Sequence, residues 1–126
     1  MVGASLVGAP LYIPNERKMK KYGIIGYPLA QSASPAFFNS KFADEGIDAQ
    51  YIPFEIESTD ELPRILEEHP ELQGFNVTIP HKIAIMQHLE GMSDGAKAIN
   101  AVNVVKVMRD ADGKAHLWGY NSDVIG

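Results

Sequence analysis

Residues 22–38 read YGIIGYPLAQSASPAFF. The run Tyr22–Gly26 is short, apolar and closed by a glycine and then Pro28, the pattern of a buried strand. Ser34-Pro35 follows, and a hydroxyl residue at the N-cap with proline in the first helical position starts a helix. Phe38, Phe42 and Ala43 then recur at helical spacing, and Gly46 fits the C-terminal cap. A buried strand that feeds a helix through a loop opens an α/β fold. Open sheets of that kind hold ligands beyond the carboxyl ends of their strands.

The rest of the chain repeats the alternation. Gln50–Ile56 places Ile52, Phe54 and Ile56 on one face, and Pro53 argues for an edge or a strand end. Ser58 and Glu61 stand at capping-box spacing ahead of Leu62, Ile65 and Leu66, and Pro70 closes that helix. Gln73–Ile79 reads as a third strand stopped by Pro80, and His81–Leu89 as a helix with Ile85 and Leu89 inside. Ser93–Asn100 reads as a short helix or turn. Ala101–Met108 and Ala115–Tyr120 are β-rich, with a hairpin turn at Asp110-Ala111-Asp112-Gly113. The expected architecture is a mixed, mainly parallel β-sheet with helices on both faces.

Composition narrows the function classes. A chain of 126 residues, 45% hydrophobic and 21% charged, suits one globular domain. A net charge of −5 argues against a nucleic-acid partner, which needs clustered Lys and Arg. The absence of cysteine removes disulfides and thiolate metal sites and fits a cytoplasmic protein. No apolar run approaches the roughly 20 residues of a membrane span, so no membrane partner is expected. Residues 1–18, MVGASLVGAPLYIPNERK, carry their basic residues after the apolar part, the reverse of a secretory signal. They read as a poorly ordered leader to a folded domain over 19–126. His81 and His88 have neither the spacing nor the acidic neighbour of a metal site. Gly3–Gly8 and Gly91–Gly95 match no nucleotide loop. Trp118 and the phenylalanines read as core rather than as a base-stacking platform.

Polar groups gather at strand ends. Ser32 and Ser34 precede a helix N-terminus, where hydroxyls, free N–H groups and the helix dipole suit a carboxylate or phosphate. Ser34 also reads as an ordinary N-cap, whereas no cap needs Ser32. Asn76 and Thr78 close the third strand, a task such residues perform by bonding nearby backbone. Lys82 sits in the first turn after Pro80, the end of a helix that cations avoid, which hints at a use. Asn103 lies in the hairpin's first strand. Asn121-Ser122-Asp123 follows its last, so that Asp123 can pair with Lys82 across the sheet edge.

Four segments together carry a resemblance. GYPLAQSASPAFFN (26–39), NVTIPHK (76–82), INAVNVV (99–105) and GYNSD (119–123) resemble, in order and spacing, motifs of the shikimate dehydrogenases. That family reduces 3-dehydroshikimate to shikimate with NADPH, using an N-terminal substrate domain and a separate C-terminal nucleotide domain. The resemblance implies that Ser32 and Ser34 hold the substrate carboxylate, and that Asn76, Thr78, Asn103 and Asp123 bond the ring hydroxyls. Lys82 with Asp123 would be the proton-transfer pair. Gln31 and Phe38 stand where the family often has His, and Val104 where Thr is usual; these departures bear on ring specificity. The chain then corresponds to the substrate-binding half, with NADP held by a domain it lacks, turning over essentially nothing alone and prone to self-association through an uncovered patch. The competing expectation is a stand-alone, non-catalytic module for a polyhydroxylated cyclic acid.

Overall fold

The computed structural model describes residues 19–30 and 32–123; the expected leader at 1–18 and the departure at Gln31 lie outside them. Six strands, β1 (Lys20–Gly26), β2 (Ala49–Glu55), β3 (Leu72–Val77), β4 (Gly91–Met92), β5 (Val104–Arg109) and β6 (Ala115–Tyr120), form one sheet in the order β2-β1-β3-β5-β6-β4. The β1–β2, β1–β3 and β4–β6 pairs are parallel, and β5 runs antiparallel to both β3 and β6. This is the expected mixed sheet. Every strand except β5 therefore ends on the same edge, and β5 begins there.

Helices cover both faces. On one face lies α1 (Ser34–Asp44), whose Phe38 and Phe42 pack with Tyr22 over Ile24, Leu29 and Tyr51. The Phe38 and Tyr51 rings stack with centroids 4.8 Å apart. Ala43, expected on the same face, is exposed. The helix ends where Gly46 takes a left-handed φ of +68°, the backbone that glycine adopts without penalty. The opposite face holds the larger core. There α2 (Leu62–Glu68), a 3-10 turn at Ala84–His88 and α3 (Asp94–Ile99) bring Leu62, Ile65, Ile85 and Ala96 against Ile25, Phe54, Ile56, Phe75 and Val77. The alternation expected for Ile52, Phe54 and Ile56 is present.

Several boundaries differ from the sequence reading, each for a local reason. Ser58 caps a 3-10 turn at Thr59–Glu61 through the Asp60 N–H, and Glu61 bonds Arg64 instead of closing a capping box. The third strand stops at Val77. Ile79, 70% exposed, lies beyond it, and its carbonyl accepts from the Tyr27 N–H at 3.1 Å. Only residues Ala84–His88 of the expected 81–89 helix coil, because a two-residue strand at Gly91–Met92 draws the chain back to the sheet. Trp118 is 38% exposed on the far side of the sheet and covers Gly91, and Phe37 is 61% exposed, so neither is core.

The edge strand β2 has an unusual partner. The Asn39 side chain, from α1, donates to the Tyr51 carbonyl at 2.9 Å and accepts the Tyr51 N–H at 2.8 Å. One amide thus satisfies both outward backbone groups of an edge residue, as a neighbouring strand would.

At the opposite end of the sheet, His116 meets carboxylates on both ring nitrogens, Glu90 at Nδ1 and Asp110 at Nε2, the latter at 2.9 Å. The bond to Asp110, then that to Glu90, raises the imidazole pKa above its ordinary value, and the bond from His116 lowers that of Asp110. A raised histidine stabilises fully below its unfolded value of about 6.5, and that stability is lost as pH climbs through the folded value. The lowered aspartate contributes above about 4, and its share is lost as pH falls. The difference in melting temperature between wild type and His116→Gln is therefore expected to be flat from about pH 4.5 to 6 and to shrink on the alkaline side. Thermal scans across pH check this; a difference independent of pH would remove the imidazolium from the account. The groups are exposed, so salt should reduce the effect.

Candidate functional site

The sheet topology puts the polar groups singled out in the sequence on one edge. Ser32 and Ser34 follow β1, Thr78 and Lys82 follow β3, Asn103 precedes β5, and Asp123 follows β6. Asn76 is the penultimate residue of β3, in register with Ile24 of β1 and Val104 of β5. Four segments distant in sequence thus meet within a few residues of one rim.

At the β1 end, the first helical residue is Ser34 itself; Ala33 occupies the N-cap and no side chain caps the helix. The expected Ser34 cap is therefore corrected. Proline inside the first turn lets the helix begin one residue early, since its missing N–H is an orphan there anyway. The Ser32 hydroxyl takes part of that role, accepting the Ser34 N–H at a long 3.4 Å. Both serines are half-buried. The Ser34 hydroxyl has no capping duty.

The β3 end is tied to β1 by backbone. The Thr78 N–H donates to the Ile25 carbonyl at 3.0 Å, and the His81 N–H to Thr78 at 3.0 Å. Gly26 makes room for this crossing: a Cβ there would lie 2.4 Å from Thr78 Cγ2 and 2.9 Å from Leu29 Cδ2. His81, which the sequence offered only as a poor metal ligand, is 3% exposed, and its Nε2–H donates to the Ile56 carbonyl beyond β2 at 2.6 Å. The Lys82 carbonyl accepts the Val102 N–H at 3.0 Å. The backbone carrying Lys82 is thus held from both sides, while the side chain is half-buried.

Asn103 stands just before β5 rather than inside it, yet its backbone continues the ladder, donating to Tyr120 at 3.0 Å and accepting from Val77 at 2.8 Å. Its amide joins the β6 end: Oδ1 accepts the Ser122 N–H at 2.9 Å, and Nδ2 faces the Ser122 hydroxyl at 3.0 Å and the Asp123 carboxylate at 3.4 Å. Asn121, 8% exposed, fixes that turn by donating to the Ala101 carbonyl at 3.1 Å. Asp123 is exposed. Among the described residues Lys82 and Asp123 share the rim but form no ion pair.

Asn76 is half-buried, and its Oδ1 accepts a 2.6 Å bond from the Tyr51 hydroxyl, a partner the sequence did not announce. Burial pushes the Tyr51 phenol up to about 12, so it stays a proton donor at neutral pH. A hollow of about 590 Å³ lies away from the rim. It runs under α1 between Phe38, Phe42, Phe75, Val105 and Val107, and touches the rim groups only through Asn76.

A carboxylate-sized group suits the paired hydroxyls, and hydroxyl-bearing carbons suit the amides and the carboxylate along the rim. Residues 24–105 match the family described as "Shikimate dehydrogenase substrate binding domain". The chain belongs to this family. A shikimate dehydrogenase (NADP(+)) of Methanococcus maripaludis is 44% identical over 113 residues, covering 88% of this chain and 38% of that protein. A crystal structure of shikimate 5-dehydrogenase from Thermus thermophilus in complex with shikimate superposes with a TM-score of 0.68 at 32% identity, over 83% of this chain and 39% of that one. A ligand-free 5-ketofructose reductase from a Gluconobacter species gives 0.71 at 30% identity, over 84% and 37%. The chain spans under two fifths of the length of the relatives it matches.

NADP is named for the Methanococcus relative. The substrate-binding domain described above does not fit it. Its loop after β1 carries Tyr27 and Pro28 after Gly26 rather than a run of glycines, and among the described residues no strand leads into a glycine-rich turn and helix.

Proposed function

We propose that this rim is the substrate cradle of an NADP-dependent shikimate dehydrogenase, and that it binds shikimate and 3-dehydroshikimate. In this reading Ser32 and Ser34 hold the carboxylate at the start of α1, where free N–H groups and the helix dipole add to the hydroxyls. Asn76, Thr78, Asn103 and Asp123 bond the ring hydroxyls. The amide of Asn103 is held in place by Ser122, through Oδ1 and Nδ2, and stands beside the Asp123 carboxylate. Lys82 delivers the proton to the carbonyl oxygen as that carbon is reduced, and Asp123 steadies the ammonium and the adjacent hydroxyl when the cleft closes. The hydride comes from NADPH held outside these residues, so the work assigned to this domain is binding, orientation and proton delivery. A cytoplasmic location goes with such a biosynthetic role.

The observation that carries the reading is convergence: four separate segments bring hydroxyl, amide, ammonium and carboxylate groups to one edge of the sheet. Titrating shikimate into ¹⁵N-labelled protein tests it. Shifts are expected at the amides of residues 32–34, 76–82, 102–103 and 121–123. Shifts spread evenly over the surface, or none, would end the proposal.

The carboxylate role is tested separately. Ser32→Ala with Ser34→Ala is expected to weaken shikimate about 10²- to 10⁴-fold, the scale of two hydrogen bonds to a charged group. An analogue without the carboxylate should lose almost nothing. Equal losses for both ligands would leave the serines a purely local role. Tight binding of 5-ketofructose, a neutral keto-sugar, with no binding of shikimate would move the site to the other substrate class.

A further inference from the structure

We infer that Tyr51 is a positioning residue for substrate recognition, the middle of a relay Asn39–Tyr51–Asn76 that fixes which way the Asn76 amide faces. The inference rests on the cradle proposed above. Asn76 carries an acceptor and a donor of nearly equal shape on one rotatable bond. Unrestrained, it can present either end to a ligand hydroxyl. The Tyr51 hydroxyl, 2.6 Å from Oδ1, removes that choice. A neutral phenol has one hydrogen to give, and burial keeps it neutral. With Oδ1 turned to Tyr51, Nδ2, which has no hydrogen bond among the described residues, is left to donate. The ligand group met by Asn76 must then accept.

Tyr51 is well placed for this. It lies on the edge strand, in register with Tyr22 on β1, so its side chain crosses β1 to reach Asn76 on β3. Its ring is buried and stacked on Phe38. Its backbone is clamped by Asn39 at 2.8 and 2.9 Å. Helix α1 thus begins at Ser34 and, five residues on, carries Asn39, whose amide holds the strand of Tyr51.

The relay is tested by shikimate titration of wild type, Tyr51→Phe, Asn76→Ala and the double variant, following ¹⁵N–¹H spectra that include side-chain amides. Tyr51→Phe keeps the stacked ring and so the fold. It is expected to move the Asn76 side-chain amide signals in the free protein and to weaken shikimate about fivefold to tenfold, the scale of one hydrogen bond. In the Asn76→Ala background the same change should cost nothing further, because nothing remains to be oriented. Asn39→Ala, which loosens the strand beneath Tyr51, should repeat the loss and be suppressed alike. An equal loss with and without Asn76 means that Tyr51 acts through packing and overturns the inference. So does unchanged affinity in Tyr51→Phe while wild type binds, a result that leaves the cradle standing. Failure of wild type to bind removes the cradle itself, and the role of Tyr51 with it.

Discussion

Replacing Lys82 with alanine, in a polypeptide that joins this domain to the rest of a shikimate dehydrogenase, is expected to lower kcat by about 10²- to 10⁴-fold, the usual share of a positioned proton donor. Reducing a ring carbonyl leaves negative charge on oxygen, and the step is costly unless a proton arrives with it. Lys82 is the one ammonium among the proposed rim groups. Its main chain is fixed through the Val102 N–H at 3.0 Å and through the neighbouring His81, whose ring is bonded to Ile56 at 2.6 Å. Alanine keeps both contacts, so amide spectra should overlay outside the rim. The loss should fall mainly on kcat, with a smaller change in KM. Lys82→Arg is informative too: it keeps the charge, but a guanidinium gives up its proton far less readily, so activity should remain low. Near-normal kcat in Lys82→Ala would assign the proton to another group.

Ile25→Ala is expected to cost about 2–5 kcal/mol of folding stability, measured by denaturant unfolding. Ile25 has no accessible surface, and its strand lies between β2 and β3 with the larger core on its side chain. Few atoms there can move to refill the space. A domain of this size has only about 5–15 kcal/mol in total, so the variant should approach unfolding at ordinary temperature. The strand also carries the rim, because the Ile25 carbonyl accepts the Thr78 N–H at 3.0 Å. Met108→Ala, at a side chain 41% exposed on β5, serves as the control and should stay within about 0.5 kcal/mol. A cost below about 1 kcal/mol for Ile25→Ala would mean that the core collapses around the gap.

The sheet was legible because its signals are local and redundant. Tyr22–Gly26 is bounded by its own glycines, 50–56 alternates cleanly, and Asp110–Gly113 closes a hairpin through the Gly113 N–H and Asp110 carbonyl at 2.9 Å. Helix boundaries are less legible where tertiary contacts overrule pattern. Residues 81–89 have apolar spacing, yet Gly91–Met92 is claimed by β6, and the intervening turn is too short to coil fully. The rim residues could be named from strand-end position and motif, and topology brings them to one edge. What did not show in the sequence were the supports. Tyr51 reads as an ordinary strand aromatic, Asn39 as an exposed helix residue and His81 as a stray histidine. Their partners lie 12, 25 and 25 positions away, and no spacing rule links them. The place of Ser34 is ambiguous in the sequence, because a serine before proline fits the N-cap and the first helical turn alike.

The amide that grips β2 also has a bearing on solubility. Strands at the margin of a sheet invite a second molecule to add on, and repeated addition leads to aggregates. Here the margin offers little to an incoming chain. The groups at position 51 are already occupied by a side chain from the same molecule, and Pro53 has no N–H to give. At the other margin the strand is two residues long. Asn39→Ala should therefore shorten the time the protein stays dispersed on warming, apart from anything it does to a ligand.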